Sequence, residues 1–270
     1  MSPSTVAALV ATPASVLGFF RALADDKRLA ILRLLTRSDL RAGEIGAALS
    51  LPPNAVSYHL KQLGSLGLLQ DHRSSADGRD VYYRVDLEQL DRLYSAAGAA
   101  LHPGLPGLVT SKQSGSEALA TSTGPLRVLF LCTHNSARSQ LAEAILRHMG
   151  GEQVFSAGSM PTEVHPNTLL VLRELGIDTS RLYAKSFDQF QGESFDYIIT
   201  VCDRVRDICP VFRDDPLEIH WSFPDPDVIE DPELQLAAFR RTATELQTRV
   251  RYLLLLPHPR TGERLPLPKQ

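Results

Sequence analysis

Apolar positions in the first hundred residues recur mostly at helical spacing. From Ala14 to Leu35 they fit two helices, with Asp25-Asp26 placed to cap the second over Lys27–Thr36. A short helix fits Ala42–Leu49. Pro52-Pro53-Asn54 then punctuates, and Ala55–Leu66 is helical again, with Val56, Leu60 and Leu63 on one face. Leu68–Asp71 and Val81–Val85 are short strand-like runs joined by Arg73–Asp80, in which Asp77-Gly78 is a hairpin signal. Leu87–Ala97 returns to the helical period. Met1–Thr12 is small, polar and Pro-containing, the composition of a mobile terminus.

Beyond Leu126 the order alternates. Strand Val128–Leu131 leads to helix Ser136–Met149, strand Gln153–Ser156 to helix Pro166–Leu175. Strand Asp196–Val201 leads to a short helix near Arg204–Cys209, then comes strand Glu218–Trp221. A long helix over Pro232–Leu255 closes the set, with Phe239, Ala243, Leu246, Val250 and Leu253 spaced 4-3-4-3. Such alternation predicts an α/β unit with a parallel sheet and helices on both faces. Residues 98–124, including His102-Pro103-Gly104-Leu105-Pro106-Gly107, are rich in Gly, Pro, Ser and Thr and poor in large apolar residues, which predicts a linker. The expected organisation is a mainly α domain over 14–97, a linker over 98–124, an α/β domain over 125–257 and a loose Pro-rich tail.

Composition narrows this picture. The chain has 270 residues, 43% hydrophobic and 22% charged, as in a globular protein. No apolar run is long enough to span a membrane and no signal layout opens the chain, so cytoplasmic residence is the expectation. Residues 1–97 hold 11 Lys+Arg against 10 Asp+Glu and the remainder 17 against 21, too balanced for charge alone to announce nucleic-acid binding. The three cysteines, Cys132, Cys202 and Cys209, all lie in the second half. That is too few for a secreted disulfide framework and suggests redox chemistry.

Cys132 opens the run Cys132-Thr133-His134-Asn135-Ser136-Ala137-Arg138-Ser139, between the strand and the helix. Backbone N–H groups of such a turn and of the helix start converge on one point, a cradle for a tetrahedral oxyanion. Arg138 supplies a fork for two anion oxygens. The same positive field is expected to lower the Cys132 pKa and raise its thiolate fraction. Cys202 follows another strand, with Cys209 seven residues on. A rigid helix would hold those two thiols about 10 Å apart along its axis, so bridging them requires the segment to loop or unwind. Asp225-Pro226 is a candidate general acid for an oxygen leaving the tetrahedral centre.

Leu131–Ser139, Cys202…Cys209-Pro210 and Trp221…Asp225-Pro226 resemble the thioredoxin-coupled arsenate reductases of the low-molecular-weight tyrosine phosphatase fold. The resemblance implies a three-thiol relay. Cys132 attacks arsenate held by residues 133–139, with Asp225 assisting departure of water or hydroxide. Cys202 attacks Cys132, arsenite leaves, and Cys209 attacks Cys202. Thioredoxin then reduces the 202–209 disulfide. Asn135 and Ser139 match positions that steady the loop and the Cys132 thiolate, and His134 mainly supplies backbone. No bound cofactor is implied, but some members hold a structural potassium, and Asn135 and Glu143 match part of that site. Phosphate would compete with arsenate, and a phosphatase would use the same loop. Ala137 stands where the phosphatases commonly have a second cysteine, and Cys202 and Cys209 would be idle in one. An arsenate–thiol transferase would not need the relay pair either.

Residues 16–94 resemble the ArsR-type winged helix-turn-helix regulators, through Leu-Ala-Asp-Asp-Lys-Arg-Leu-Ala-Ile-Leu at 23–32 and Val-Ser-Tyr-His-Leu-Lys-Gln-Leu at 56–63. The resemblance implies a homodimer on double-stranded DNA. The recognition helix would be 54–66, beginning at Asn54, with Ser57, Tyr58 and Lys61 facing the major groove and Arg73 and Arg79 meeting phosphate. Arsenic-sensing members carry a cysteine pair on the helix that here reads Leu40-Arg41-Ala42-Gly43-Glu44-Ile45, so a thiolate arsenic sensor inside this domain is excluded.

Overall fold

The computed structural model of the protein describes residues 14–76, 78–102, 126–151, 153–210 and 212–256. The expected mobile start, Asp77 of the hairpin, most of the expected linker and the tail from Pro257 lie outside the described residues. The chain divides into two compact units.

The first unit begins with α1 (Ala14–Leu23) and α2 (Asp26–Leu35). Asp25 ends the break between them, its carboxylate accepting from Arg28 N at 2.9 Å as an N-cap. Then follow β1 (Leu40–Arg41), α3 (Ala42–Leu49), α4 (Pro53–Gly64), β2 (Leu69–Arg73), β3 (Val81–Val85) and α5 (Leu87–Leu101). Pro53 starts α4, where its missing N–H costs nothing. Strand β3 lies between β1 and β2, antiparallel to β1 with Leu40 opposite Tyr83. Val56, Leu60 and Leu63 of α4 are buried with Phe19, Ile31, Leu35 and Ile45. The observed order is that of a winged helix-turn-helix.

One boundary differs from expectation. Helix α5 runs to Leu101 instead of ending at Ala97, so the connecting stretch starts later than residue 98. Ala96, Ala97, Ala99 and Ala100 are strong helix formers that carry the helix through Gly98. It stops just ahead of His102-Pro103, because a residue before proline is driven out of the helical region.

The second unit carries β4 (Arg127–Cys132), α6 (Arg138–His148), β5 (Gln153–Gly158), α7 (Pro166–Glu174), β6 (Tyr197–Thr200), α8 (Asp203–Arg206), β7 (Leu217–His220) and α9 (Pro232–Leu254). Single 3-10 turns cover Phe187–Phe190 and Pro226–Val228. The four strands are all parallel, in the order β5-β4-β6-β7, with helices packed against them. The chain leaves β4 for β5 on one side, then crosses to β6 on the other. Strand order therefore reverses between β4 and β6, and ligands of open α/β sheets bind in the crevice beyond the strand ends at such a point. The five predicted apolar positions of α9 are all buried. Phe239, Leu246, Val250 and Leu253 each contribute about 1.5–3 kcal/mol by leaving water.

Candidate active site

The crevice is lined by the two segments that carry thiols. Leu131 pairs with Thr200 across β4 and β6, so Cys132 and Cys202 emerge at the same end of neighbouring strands. All three cysteines are free thiols, Cys132 and Cys202 buried and Cys209 half-buried. Thr133 Oγ1 is 3.4 Å from Cys202 Sγ, which ties the two strand ends together. Helix α8 occupies Asp203–Arg206 rather than the expected 204–209. This single turn leaves residues 208 and 209 outside the helix.

The loop from Cys132 to Ser139 is held from its carbonyl side. Thr133 O accepts from Met160 N at 2.9 Å, His134 O from Thr162 N at 3.0 Å and Ser136 O from His165 N at 3.1 Å. Within the loop, Asn135 N donates to Cys132 Sγ at 3.1 Å, and Ser139 Oγ lies 2.8 Å from the same sulfur. Asn135 sits in the left-handed region at φ 48°, a conformation that asparagine tolerates better than most residues. Its side chain is fully buried. Nδ2 donates to Ser139 Oγ (2.9 Å) and Ser156 Oγ (2.8 Å), and Oδ1 accepts from Gln140 Nε2 (2.9 Å) and Lys185 N (2.7 Å). Gly158, paired with Cys132 in the sheet, lets this loop close. A Cβ there would stand 2.6 Å from Thr133 O and 2.8 Å from Asn135 N.

Arg138 opens α6 and is buried. Its fork spans Phe223 O, at 3.0 Å from Nη1, and the Asp225 carboxylate, which pairs with Nη2. Asp225 is thereby brought to the mouth of the loop from 87 residues away in sequence.

The expected fall in the Cys132 pKa is not what this arrangement produces. Burial pushes the thiol above its ordinary range, and neighbouring Cys202 pushes it further. Arg138, Ser139 and the Asn135 N–H oppose this without overcoming it. Desolvation wins because the sulfur is wholly enclosed while the guanidinium is shared with a carboxylate. Burial and Glu218 push Cys209 up to about 12.

Several site residues were invisible in the local pattern. Lys185 is buried, with Nζ on Glu143 Oε2 (3.2 Å) and Tyr183 O (2.9 Å). Glu143 also receives Ser156 Oγ and Arg147 Nη2. Beside Cys202, Asp203 is buried and receives Ser222 Oγ and His220 Nε2, the latter at 3.1 Å. Despite the desolvation that opposes ionisation, those bonds hold its carboxyl well below the usual range. The one local signal was polar Gln140 and Glu143 on α6, where every residue from Arg138 to Leu146 is buried.

A potassium ion of the kind the resemblance implies would draw on Asn135 and Glu143. The Asn135 oxygen is already taken by Gln140 and Lys185 N, and the Glu143 carboxylate by Lys185, Arg147 and Ser156. A cation is built in as the Lys185 ammonium, so this donor set does not fit an added one.

In the first unit, Asn54, Ser57, Tyr58 and Lys61 are exposed on α4, on the side away from Val56, Leu60 and Leu63. Ser57 Oγ donates to Pro53 O of its own helix at 2.9 Å. Arg73 and Arg79 are exposed at the β2–β3 connection, and Arg73 Nη1 reaches Gly78 O at 3.3 Å.

A parallel sheet that ends in a Cys-x5-Arg loop, with an aspartate returned to the arginine, defines an oxyanion-handling enzyme of the phosphatase type. Residues 127–260 match the model for low molecular weight phosphotyrosine protein phosphatase. Residues 25–71 match that for bacterial regulatory protein, arsR family. The arsenate reductase of Halalkalibacterium halodurans is 36% identical over 127 residues, 46% of this chain and 91% of that protein. That of Bacillus subtilis is 32% identical over the same shares. Among solved structures, arsenate reductase from Archaeoglobus fulgidus is 30% identical and covers 47% of this chain and 98% of its own, with a TM-score of 0.39. The chain belongs with these arsenate reductases, its residues 127–260 forming a low molecular weight phosphotyrosine protein phosphatase unit preceded by the arsR-family match at 25–71.

Proposed function

We propose that the protein reduces arsenate to arsenite by a relay through Cys132, Cys202 and Cys209, with thioredoxin as the electron donor. The observation that carries the reading is the pair of buried free thiols at the ends of adjacent strands, joined through Thr133. A phosphatase needs only the first of them. Cys132 thiolate attacks the arsenic of an arsenate cradled by residues 133–139 and Arg138, and Asp225 gives a proton to the departing oxygen. Cys202 thiolate then attacks Cys132 Sγ. The new S–S bond leaves two electrons on arsenic, which departs as arsenite. Cys209 attacks Cys202 and frees Cys132, and a thioredoxin dithiol reduces the 202–209 disulfide. Arsenate taking the Arg138 fork would release the Asp225 carboxyl from that pair to act as the acid. These thiols must remain reduced between turnovers, which fits a cytoplasmic setting.

The experiment is arsenite release with thioredoxin, thioredoxin reductase and NADPH, compared with hydrolysis of a phosphate ester. Arsenite release that Cys202→Ser or Cys209→Ser abolishes supports the relay. Ester hydrolysis that survives both substitutions, without arsenite, returns the protein to a phosphatase.

We further infer that the winged-helix unit, ending with α5, is a homodimeric DNA-binding module, joined by a connecting stretch to an enzyme unit that ends near residue 257. Tyr58 and Lys61 would read the major groove, while Arg73 and Arg79 would meet phosphate. Helices α1 and α5 pack together and leave Leu17, Phe20, Tyr94 and Leu101 exposed, an apolar surface suited to a second copy. Binding of the protein to fragments of its own promoter region, followed against salt concentration, tests this. Affinity no better than for unrelated duplex would leave the unit as a protein-interaction module.

A further inference from the structure

His165 caps α7 and lies outside the catalytic machinery described above, yet it touches both loops of the site. Its main-chain N–H donates to Ser136 O of the anion loop at 3.1 Å. Its ring accepts from Asn167 N at Nδ1 (3.1 Å) and faces Asp227 Oδ1 with Nε2 (3.0 Å). An Nδ1 that accepts a backbone hydrogen bond carries no proton, so the ring proton is on Nε2 and is donated to Asp227. The ring is stacked on Phe239 at 4.7 Å and 22°, which fixes its plane. Asp227 N in turn donates to Asp225 Oδ1 at 3.3 Å, and the other Asp225 oxygen pairs with Arg138. The contacts form a ring: Ser136, His165, Asp227, Asp225, Arg138 and back into the loop.

A second set of bonds closes on the same turn. Gln235 Nε2 donates to Asp227 O (3.2 Å) and Ile229 O (3.0 Å), and its Oε1 accepts from Asn167 Nδ2 (2.9 Å). The turn 225–229 has only one short 3-10 element of its own. Its position relative to the anion loop is therefore set by side chains of α7 and α9 together with Arg138 of α6.

We propose that His165 is a positioning residue that holds the Asp225 carboxyl in register with the anion bound by the loop. The claim rests on the reading of Asp225 as proton donor to the leaving oxygen. Misplacing a proton donor by about 1 Å costs one to two orders of magnitude in rate while leaving ground-state binding nearly intact.

His165→Asn keeps a side-chain oxygen that can cap α7 but is too short to reach Asp227. Asp227→Ala removes the acceptor, while Asp227→Asn keeps one. The full-length protein is assayed for arsenite release, and separately for hydrolysis of phenyl phosphate and para-nitrophenyl phosphate. The second leaving group needs little protonation. Expected are falls of about tenfold in kcat for His165→Asn and Asp227→Ala, with KM within twofold. Asp227→Asn should recover most of the loss, and the double variant should be no worse than either single one. The loss should be large for phenyl phosphate and small for the nitrophenyl ester, a contrast that general destabilisation would not produce. Equal losses on both esters, additive effects, or unchanged kcat in His165→Asn would each overturn the proposal. Asp225→Asn is the control for the underlying reading. If it too shows no dependence on the leaving group, Asp225 is not the acid, and that failure is distinct from a failure of His165 alone.

Discussion

Replacing Asn135 by alanine tests how the anion loop is held. The side chain has no exposure and makes four hydrogen bonds, to Ser139, Ser156, Gln140 and Lys185 N. At about 1 kcal/mol net for each, their loss amounts to about 4 kcal/mol. Alanine must also adopt φ 48°, which costs about a further 1 kcal/mol because its Cβ crowds the following carbonyl and no side chain compensates. The expected sum, about 5 kcal/mol, is a large part of the 5–15 kcal/mol that stabilises a typical domain. Asn135→Gly loses the same bonds without the steric penalty and should be less damaging than alanine by about 1 kcal/mol. Trp221 is the only tryptophan in the chain, is buried in the second unit, and reports its unfolding in urea by fluorescence. The expected result is a midpoint lowered by about 2 M at unchanged slope. A loss below about 1 kcal/mol in Asn135→Ala would refute the view that this side chain carries the loop. Equal losses in the alanine and glycine variants would refute the conformational part.

Gly158→Ala should cost about 1–3 kcal/mol, because the added methyl meets the backbone of Thr133 and Asn135 below 3 Å. Inorganic phosphate, titrated calorimetrically, should bind at least tenfold more weakly; affinity within twofold of the parent would show that the loop yields without harm. Lys185→Met should cost about 3 kcal/mol by leaving Glu143 short of a buried cation. The parent's thermal midpoint should be the same in potassium and sodium chloride at equal ionic strength, and a rise specific to potassium would restore a metal at this position. Cys209 is expected to react slowly with iodoacetamide near neutral pH, the rate rising about tenfold per pH unit as the thiolate fraction grows. Its folded pKa lies above the ordinary 9.0, so the folded protein keeps a proton that the unfolded chain gives up. Stability attributable to Cys209 is thus full below pH 9 and declines as pH rises toward about 12. Cys209→Ser should flatten that decline, and an unchanged alkaline profile would contradict it.

The order of elements, the two-part organisation and the Cys132–Ser139 loop could all be read from the chain, because each is written in local spacing. Apolar period marks helices and strands, and the loop is eight consecutive residues between them. The cap at Asp25, the buried face of α4 and the five buried positions of α9 follow from the same local rules. Even the need for the Cys202–Cys209 segment to leave the helix came from spacing alone.

Burial and long-range contact were decided elsewhere. The raised pKa of Cys132 runs against the local argument because desolvation depends on every neighbour enclosing the sulfur, and a run of eight residues says nothing of them. Lys185 reaches Glu143 across 42 residues and Asp225 reaches Arg138 across 87. His165 meets Asp227 only because α7 and α9 pack together. Such partners leave no periodic trace in the sequence, since hydrogen bonds and desolvation act through space and only the folded sheet brings their donors and acceptors to one end.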